Sequence, residues 1–509
     1  MSTVLTTLPL CAEAALGDGT SRWLVELDRG VAAFAATVPW GTMLVLVGAG
    51  LAIWASCHAL LTKRDPRSAW GWIAMCYLFP FAGPLLYSLF GINRVRIAAS
   101  TLGLDHAGST SQHDAPLPNA SNDALDESLR AVARTGDRLT HLPRLAGNRV
   151  QLLEDGEAAY PRMLEAIGQA RQSVAVVTYM WEYDRVGKAF RQALVEAKQR
   201  GVDVRVIIDG FGELQRLWRS HRHLRRHGVP TVLFNPPRLL PPAVHFNLRN
   251  HRKLLLIDGK VAFTGGMNIG ARHLARDPNN RHPVRDAHFE LCGPIVGQLG
   301  LAFAADWRFA ARSEWHAPPV TERCHDQGST CRIIEDGPNE DLDRLELMFL
   351  AAINAARHQV RIMTPYFLPS REMVASLKGA ALRGVEVEIV LPSKNNLNYV
   401  HWAAQHGLGE LLRHGMRLYY QAPPFCHSKL FLVDSAYAIV GSPNIDPRSL
   451  QLNFELCVEI YGGAVCDELQ AYFARSRITA RQISAEQLAA RSLPARLRDS
   501  FFWLCSPYL

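Results

Sequence analysis

Two short segments of this 509-residue chain carry the same set of chemically useful side chains. In each segment His, Lys, Asp and Asn follow one another at one spacing: His251, Lys253, Asp258 and Asn268, then His427, Lys429, Asp434 and Asn444. An imidazole, an ammonium and a carboxamide that converge on one point suit a phosphoryl group. The lysine neutralises phosphate oxygens, the asparagine donates hydrogen bonds, and the histidine attacks phosphorus or transfers a proton.

Duplication of the motif supplies the two histidines that exchange of a phosphodiester requires. One histidine must be neutral to attack phosphorus, and the other must be protonated to release the leaving alcohol. This chemistry needs no metal and no cofactor, and the sequence predicts neither. Ten cysteines occur without a CxxC pair, so we expect free thiols and no zinc site.

The motifs must be positioned by strands. The segments HRKLLLID and HSKLFLVD are typical of β-strands, in which residues two apart share a face, so each histidine lies beside its lysine. The residues that follow indicate a turn and a returning strand, which brings the asparagine back to the pair.

The chain after residue 146 contains an internal sequence repeat. QLLEDG at 151–156 matches RIIEDG at 332–337, and HFELC at 288–292 matches NFELC at 453–457. Each copy reads helix, strand, helix, strand, with the second helix ending at Gly201 or Gly384. The order predicts an α/β fold of two repeats related by a pseudo-two-fold axis.

The first hundred residues predict a membrane anchor. Trp40–Leu61 and Ala69–Ile92 are uncharged and each reaches the length that spans a bilayer, so we expect a two-helix transmembrane hairpin. A cleavable signal peptide fits less well, because residues 1–16 lack a basic start. The predicted domains are an N-terminal segment (1–38), the hairpin (39–92), a linker (93–145), repeat 1 (146–330), and repeat 2 with the tail (331–509).

Composition limits the partners. The chain is 48% hydrophobic with a net charge of +8, which excludes a disordered chain, a collagen-like chain and a small disulfide scaffold. Excess positive charge is compatible with nucleic acid or with phospholipid head groups.

The paired HxKxxxxD…G(S/G)xN motif resembles that of the phospholipase D superfamily. With the hairpin before it, the chain is similar to the bacterial cardiolipin synthase branch over nearly all of residues 40–509. The resemblance implies phosphatidyl transfer between two phosphatidylglycerol molecules through a covalent phosphatidyl-histidine, in the bacterial inner membrane. A hydrolase releasing phosphatidic acid, or a synthase using phosphatidylethanolamine, is the alternative. Nucleic acid is not an expected partner, and the oligomeric state stays open.

The resemblance also assigns roles to individual residues. His251 is favoured as nucleophile and His427 as acid and base, with the reverse left open. Glu455 and Glu290 are the candidates for carboxylates that orient the histidines. Asp258 and Asp434 belong to the motif, although turn formation explains them equally well. Ser442 is a candidate phosphate donor that Gly266 replaces in the first copy, so the two phosphate half-sites need not be equivalent.

Three weaker features remain open. One predicted helix has a basic face, formed by Arg216, Arg219, Arg222 and Arg225. This face is either a solvated surface or a surface that docks on anionic lipid. Pro236–Pro242 either lines an acyl-chain entrance or forms a rigid surface loop. The aromatic residues of the C-terminal tail suggest packing or interfacial contact: Phe501, Phe502, Trp503 and Tyr508.

Overall fold

The computed structural model describes residues 40–63, 66–92, 120–121, 125–214, 220–237, 248–319, 328–337 and 343–506. Several predictions lie outside these residues: segment 1–38, most of the linker before residue 125, Arg216 and Arg219, residues 238–242 of the proline-rich segment, and Tyr508. The chain divides into two compact units, Met1–Arg94 and Val95–Leu509, which are described separately.

The first unit contains helices α1 (Trp40–Thr62), α2 (Pro66–Leu78) and α3 (Ala82–Leu86) and a π-helical turn, Tyr87–Gly91. Among the described residues, α1 alone is long and apolar enough to cross a membrane. The second predicted span is interrupted after α2, because Pro80 lacks a backbone N–H and disfavours helical geometry in the residue before it. The structure therefore gives one candidate span.

Within the first unit the chain folds back on α1. Ala52, Ala55 and Ala59 present a small-residue face that packs with Cys76 and Tyr87. The Tyr87 hydroxyl lies 2.7 Å from Nδ1 of His58, and Lys63 donates a hydrogen bond of 2.7 Å to the carbonyl of Gly91. Apolar residues elsewhere on α1 are exposed, which fits a lipid environment.

The second unit is a mixed α/β fold. Its helices are α4 (Glu127–Thr140), α5 (Asp155–Gln169), α6 (Arg185–Gln199), α7 (Gly210–Leu214), α8 (Ser220–Arg226), α9 (Ile295–Ala311), α10 (Arg344–Ala355), α11 (Arg371–Leu382), α12 (Asn398–Arg413), α13 (Pro447–Gln451), α14 (Ala464–Ile478), α15 (Ala485–Ala489) and α16 (Leu493–Leu504), with a 3-10 turn at Ala271–His273.

The strands of this unit lie between the helices. They are β1 (Leu145–Glu154), β2 (Ser173–Thr178), β3 (Asp203–Asp209), β4 (Thr231–Phe234), β5 (Leu254–Ile257), β6 (Val261–Gly265), β7 (Val284–Arg285), β8 (Ala287–Cys292), β9 (Ser329–Asp336), β10 (Gln359–Met363), β11 (Glu386–Pro392), β12 (Arg417–Gln421), β13 (Phe425–Cys426), β14 (Leu430–Val433), β15 (Tyr437–Gly441), β16 (Glu455–Tyr461) and β17 (Ala480–Ile483).

Fifteen of these strands form one sheet in the order β17-β12-β11-β10-β14-β15-β16-β9-β1-β8-β6-β5-β2-β3-β4. β2, β3 and β4 pair in parallel on one side, as do β10, β11 and β12 on the other, and the central strands are antiparallel. Apart from β17 at one edge, the sheet has the same order of elements from either side inwards to the central β1–β9 pair. The remaining strands, β7 and β13, pair with each other.

Helices α6 and α11 begin at capping side chains and end just before the predicted glycines. Asp184 caps α6 by accepting a hydrogen bond of 2.8 Å from the Gly187 N–H, and Ser370 caps α11 through the Met373 N–H at 3.0 Å. Beyond the ends of these helices Gly201 and Gly384 have φ of +89° and +87°, which an L side chain rarely adopts.

The predicted linker, 93–145, is wrong for one part of its length. Residues 127–140 form the amphipathic helix α4, capped by Asp126, and its Leu129, Val132 and Ala133 are buried in the core around α10. The helix belongs to the fold, because its apolar residues recur at helical spacing.

One of the hydrophobic cores contains residues from both halves of the sheet, on either side of the central β1–β9 pair. Phe289 and Leu291 of β8 and Leu456 and Val458 of β16 are buried in the same cluster. Since the two sides share this core, the segments that precede β5 and β14 meet near the middle of the sheet.

Candidate active site

The two histidines lie immediately before short strands. His251 and Lys253 precede β5, and His427 and Lys429 precede β14, so the strands begin after the lysines and not at the histidines as predicted. Each lysine folds back on its own motif: Lys253 Nζ donates to the carbonyl of His251 at 2.6 Å, and Lys429 Nζ donates to the carbonyl of His427 at 2.5 Å.

Each motif is hydrogen-bonded to the opposite side of the sheet. The backbone N–H of His251 donates to the carbonyl of Phe454 at 2.9 Å, and that of His427 donates to the carbonyl of Arg285 at 2.7 Å. Phe454 and Arg285 are followed directly by acidic residues, Glu455 and Asp286. The same backbone contact therefore presents a carboxylate to each histidine from the other half of the chain.

Glu455 contacts His251, at 2.9 Å from its Oε1 to Nδ1. The carboxylate is buried and also accepts hydrogen bonds from the Ser442 hydroxyl and from Nδ2 of Asn453. A carboxylate at Nδ1 keeps the proton on that nitrogen, so Nε2 is the nitrogen that is available for chemistry.

Asp286 contacts His427, with 2.8 Å between Oδ2 and Nδ1. Its Oδ1 accepts the N–H of Ala287 at 2.9 Å. Its backbone is held by Asp155, whose N–H donates to the Asp286 carbonyl and whose Oδ1 accepts the Asp286 N–H, both at 2.9 Å. The carboxylate contact at His427 thus matches that at His251, with Asp in place of Glu. In addition, Lys429 Nζ lies 2.8 Å from Nδ1 and 3.1 Å from Nε2 of His427.

The contacts of Glu290 contradict its predicted role as a carboxylate that orients a histidine. Glu455 reaches the histidine of the first motif, and Glu290 forms ion pairs with Arg162, at 2.9 Å, and with Arg149, at 3.4 Å. Asp286, which the sequence reading did not single out, occupies the second carboxylate position.

The error comes from the alignment of HFELC with NFELC. In the sheet, Gly265 of β6 pairs with His288, whereas the corresponding Gly441 of β15 pairs with Cys457. The spatial counterpart of Glu455 is therefore Asp286, four residues before the predicted Glu290. A shift of four residues, an even number, preserves the inward and outward alternation of a strand, so the sequence pattern did not reveal it.

The same register explains the glycine at position 266. A Cβ on Gly266 would lie 2.2 Å from Oδ1 of Asp286, so a serine there would displace the carboxylate. In the second copy the Ser442 hydroxyl donates to Glu455, so it supports a carboxylate, which differs from the predicted contact with phosphate. The two half-sites differ in how the carboxylate is held.

Both asparagines are buried. Oδ1 of Asn268 accepts the N–H of Met180 at 3.2 Å. Nδ2 of Asn444 lies 3.3 Å from the hydroxyl of Ser449, and its Oδ1 is buried without a hydrogen-bond partner. Aromatic rings flank the histidines: Tyr179 lies 5.3 Å from His251 between ring centroids, and Tyr366 lies 6.5 Å from His427.

Asp258 and Asp434 form turns. Both have positive φ, +53° and +48°, at the ends of β5 and β14 that are far from the lysines. The Asp258 carboxylate accepts three backbone N–H groups, from residues 171–173, and Asp434 accepts those of residues 357–359. Of the two interpretations left open by the sequence, the contacts favour turn formation.

Burial and charge set the protonation of the site. Burial lowers the pKa of Lys253 to about 7 and that of Lys429 to about 8. Burial also lowers the pKa of His251, although Glu455 opposes the shift, and burial together with Lys429 holds the pKa of His427 well below its usual value. Without substrate both imidazoles are neutral at pH 7.

The carboxylates of Glu455 and Asp286 differ in the direction of their pKa shifts. Burial alone would raise the pKa of Glu455, but His251, Lys253 and Ser442 outweigh it and the net pKa is lowered. Burial raises the pKa of Asp286, despite the opposing effect of Lys429. The carboxylate beside His251 is therefore the one more firmly held as an anion.

Two neutral imidazoles, two lysines and two crosswise carboxylates at the centre of an α/β sheet define a phosphodiester transferase of the phospholipase D type. A family model described as "Cardiolipin synthase, PLD-like domain" matches residues 163–307 and 349–477, and one described as "Phospholipase_D-nuclease N-terminal" matches residues 50–91. The chain belongs to this cardiolipin synthase family of phosphatidyltransferases.

Similar proteins agree in family and in fold. "Cardiolipin synthase A" of Pseudomonas aeruginosa is 34% identical over 89% of this chain and 93% of its own length. "Major cardiolipin synthase ClsA" of Bacillus subtilis is 29% identical over 88% of this chain and 95% of its own length. The phosphatidylserine synthase of Haemophilus influenzae, 14% identical, superposes with a TM-score of 0.57 over 74% of this chain and all of its own length, a similarity of fold.

Proposed function

We propose that this protein makes cardiolipin from two molecules of phosphatidylglycerol through a covalent phosphatidyl-histidine, with glycerol as the second product. The observation that carries the proposal is the crosswise arrangement, in which each partly buried histidine is held through Nδ1 by a carboxylate from the other half of the chain. Nε2 of both rings is thereby available to one phosphodiester.

In the first step Nε2 of one histidine attacks phosphorus, and the bond from phosphorus to the glycerol oxygen breaks. The other histidine, protonated when the anionic phosphodiester binds, gives its Nε2 proton to the departing oxygen. Lys253 and Lys429 offset the charge on the phosphate oxygens. Asn268 and Asn444 support the same oxygens through their amides.

In the second step the terminal hydroxyl of another phosphatidylglycerol attacks phosphorus. Its proton passes to the histidine that served as acid, and the bond between phosphorus and nitrogen breaks, which restores both imidazoles. One phosphodiester replaces another, so no nucleotide is consumed. Water in place of the lipid hydroxyl would give phosphatidic acid, so a site apposed to the membrane favours the transfer.

His251 is the proposed nucleophile and His427 the acid and base. A phosphorylated imidazole is cationic throughout its lifetime and requires an ionised partner, which the lowered pKa of Glu455 supplies. His427 must gain and lose a proton in both steps, and it faces Asp286, whose pKa is raised by burial. Burial lowers the pKa of His427 and raises that of Asp286, so burial shifts the two pKa values towards each other.

The remaining architecture is proposed from the sequence with support from the fold. The matching strand orders on the two sides of the sheet support two duplicated repeats, 146–330 and 331–509, related by a pseudo-two-fold axis. Helix α1 and the chain that folds back on it support residues 39–92 as an anchor that crosses the bacterial inner membrane twice. Phosphatidylglycerol in that membrane is the proposed substrate.

A product assay tests the reaction. The protein is incubated with phosphatidylglycerol micelles, without added nucleotide, and lipids and free glycerol are quantified. Cardiolipin with an equal amount of glycerol supports the proposal, whereas phosphatidic acid with glycerol would replace it with hydrolysis. Addition of phosphatidylethanolamine shows whether that lipid serves as acceptor. His251→Ala and His427→Ala are each expected to abolish turnover of phosphatidylglycerol, and full activity in either would refute the two-histidine mechanism.

A further inference from the structure

A row of exposed apolar side chains runs along helix α16, near the C-terminus. Leu493, Leu497, Phe501 and Leu504 are each between 61% and 68% exposed. At 3.6 residues per turn, these four side chains fall within about 80° of the helix circumference. They form one continuous stripe, the apolar row, and exposed stripes of this kind mark interaction surfaces.

Other side chains of α16 fix the helix on the enzyme. The ring of Phe502 lies 5.2 Å from that of Trp402, and the ring of Trp503 stacks on His406 at 4.3 Å, both on helix α12. Nδ1 of His406 lies 3.0 Å from the Ser500 hydroxyl. These contacts orient the helix and keep the apolar row turned away from the protein.

The acidic residue of α16 is buried, whereas positive charge is exposed on the helix. Asp499, the only acidic residue of the helix, is 2% exposed and forms ion pairs with Arg491 at 2.6 Å and with Arg498 at 2.8 Å. Arg496 is exposed and adjoins the apolar row on the helix surface. The outward face thus combines apolar side chains with positive charge, the pattern of a helix that lies on an anionic bilayer.

The same helix is connected to the active site. Phe502 packs on a buried cluster of Leu368, Val400 and Ala403, together with Tyr366 and Leu397. The ring of Tyr366 lies 6.5 Å from that of His427. The cluster that Phe502 contacts therefore extends to a ring beside His427, so α16 lies on the His427 side of the site.

We propose that α16 is a docking helix that seats the catalytic unit on a bilayer of anionic phospholipid, with the apolar row inserted at the boundary between head groups and acyl chains. The proposal deepens the proposed function, since it rests on a lipid substrate. Docking at this helix brings membrane phosphodiesters to the His427 side of the site. It acts within the catalytic unit and is separate from the anchor at residues 39–92.

Lipid cross-linking tests where α16 lies. The full chain is reconstituted in phosphatidylglycerol-containing bilayers that include a phospholipid with a photoactivatable acyl chain, and cross-linked peptides are mapped by mass spectrometry. We expect lipid adducts on residues 493–504 as well as on 40–92. Adducts confined to 40–92 would overturn the proposal.

An activity comparison tests what the helix does. We expect Leu497→Asp with Phe501→Asp to reduce turnover of bilayer phosphatidylglycerol by about tenfold, because the inserted apolar area is lost, while turnover of short-chain, monomeric phosphatidylglycerol is unchanged. Leu382→Asp, at a site 79% exposed on α11, is the matched control and keeps both activities. Equal loss in the control, or full bilayer activity in the double variant, would contradict the proposal.

The outcomes separate the two proposals. Activity on the short-chain substrate reports that the double variant is folded, and the milder pair Leu497→Ser and Phe501→Ser repeats the comparison if it is not. If wild-type protein forms no cardiolipin from either substrate, the proposed function fails, while the cross-linking still decides whether α16 contacts lipid.

Discussion

Glu455→Gln removes one charge from the partner of His251 and keeps the shape of the side chain. The Glu455 side chain is fully buried, so its hydrogen bond to a cationic His251 is worth about 1.5–3 kcal/mol. At about 1.4 kcal/mol per factor of ten, loss of the charge is expected to slow formation of the phosphatidyl-histidine by about 10- to 150-fold.

A substrate with a good leaving group isolates this step. Release of p-nitrophenol from phosphatidyl-p-nitrophenol needs little help from a general acid, so the pre-steady-state burst reports attack by the nucleophile alone. Glu455→Gln is expected to slow the burst. Asp286→Asn, which weakens the support of His427, is expected to keep a fast burst and to slow turnover of phosphatidylglycerol.

Glu290→Gln is the matched control. Its partners Arg149 and Arg162 are 53% and 47% exposed, so the ion pairs contribute little, and Glu290 contacts neither histidine. The burst and the turnover of this variant are expected to match wild type. A normal burst in Glu455→Gln together with a slowed burst in Asp286→Asn would refute the assignment of His251 as nucleophile, and a slowed burst in Glu290→Gln would refute the crosswise pairing.

Three further outcomes are expected. Asp258→Ala should lower the unfolding free energy by about 1–3 kcal/mol, through loss of a carboxylate that accepts three backbone N–H groups, yet leave kcat of the folded fraction unchanged; a folded but inactive variant would contradict turn formation. Gly266→Ser should displace Asp286 and lower phosphatidylglycerol turnover while the p-nitrophenol burst persists; unchanged turnover would count against the role of Asp286. Because the pKa of Lys253 is lowered by burial to about 7, kcat/KM should fall as pH rises through that value, and Lys253→Arg, which stays charged, should move the fall to higher pH in a profile from about pH 6 to 9.

The sequence predicted the residue types of the site better than the contacts between them. The repeated His, Lys and Asn identified the motif, and the strands and helix ends around it follow local rules that were confirmed at Gly201 and Gly384. Asp286 escaped prediction because its role depends on register between β6 and β8. A four-residue shift leaves the alternation of buried side chains unchanged, and only strand pairing resolves it.

In the first third of the chain the structure differs from the sequence-based prediction at two places, and each difference has a physical cause. The second predicted span has enough apolar residues, but Pro80 interrupts it, so apolar length alone predicted a longer helix than forms. Segment 127–140 follows a polar stretch and carries many charges, which suggested a linker. Its apolar residues nevertheless fall on one face, and the core around α10 supplies the surface that buries them.

The residue to which the phosphatidyl group becomes attached shows directly which histidine is the nucleophile. His427→Ala protein is mixed with phosphatidyl-p-nitrophenol, quenched in base to preserve phosphohistidine, digested, and analysed by mass spectrometry. The account predicts that the phosphatidyl group is found on Nε2 of His251, with p-nitrophenol released in equal amount, and that the same experiment with His251→Ala gives no adduct. An adduct on His427 in the His251→Ala protein, or none on either histidine while wild-type protein makes cardiolipin, would contradict it.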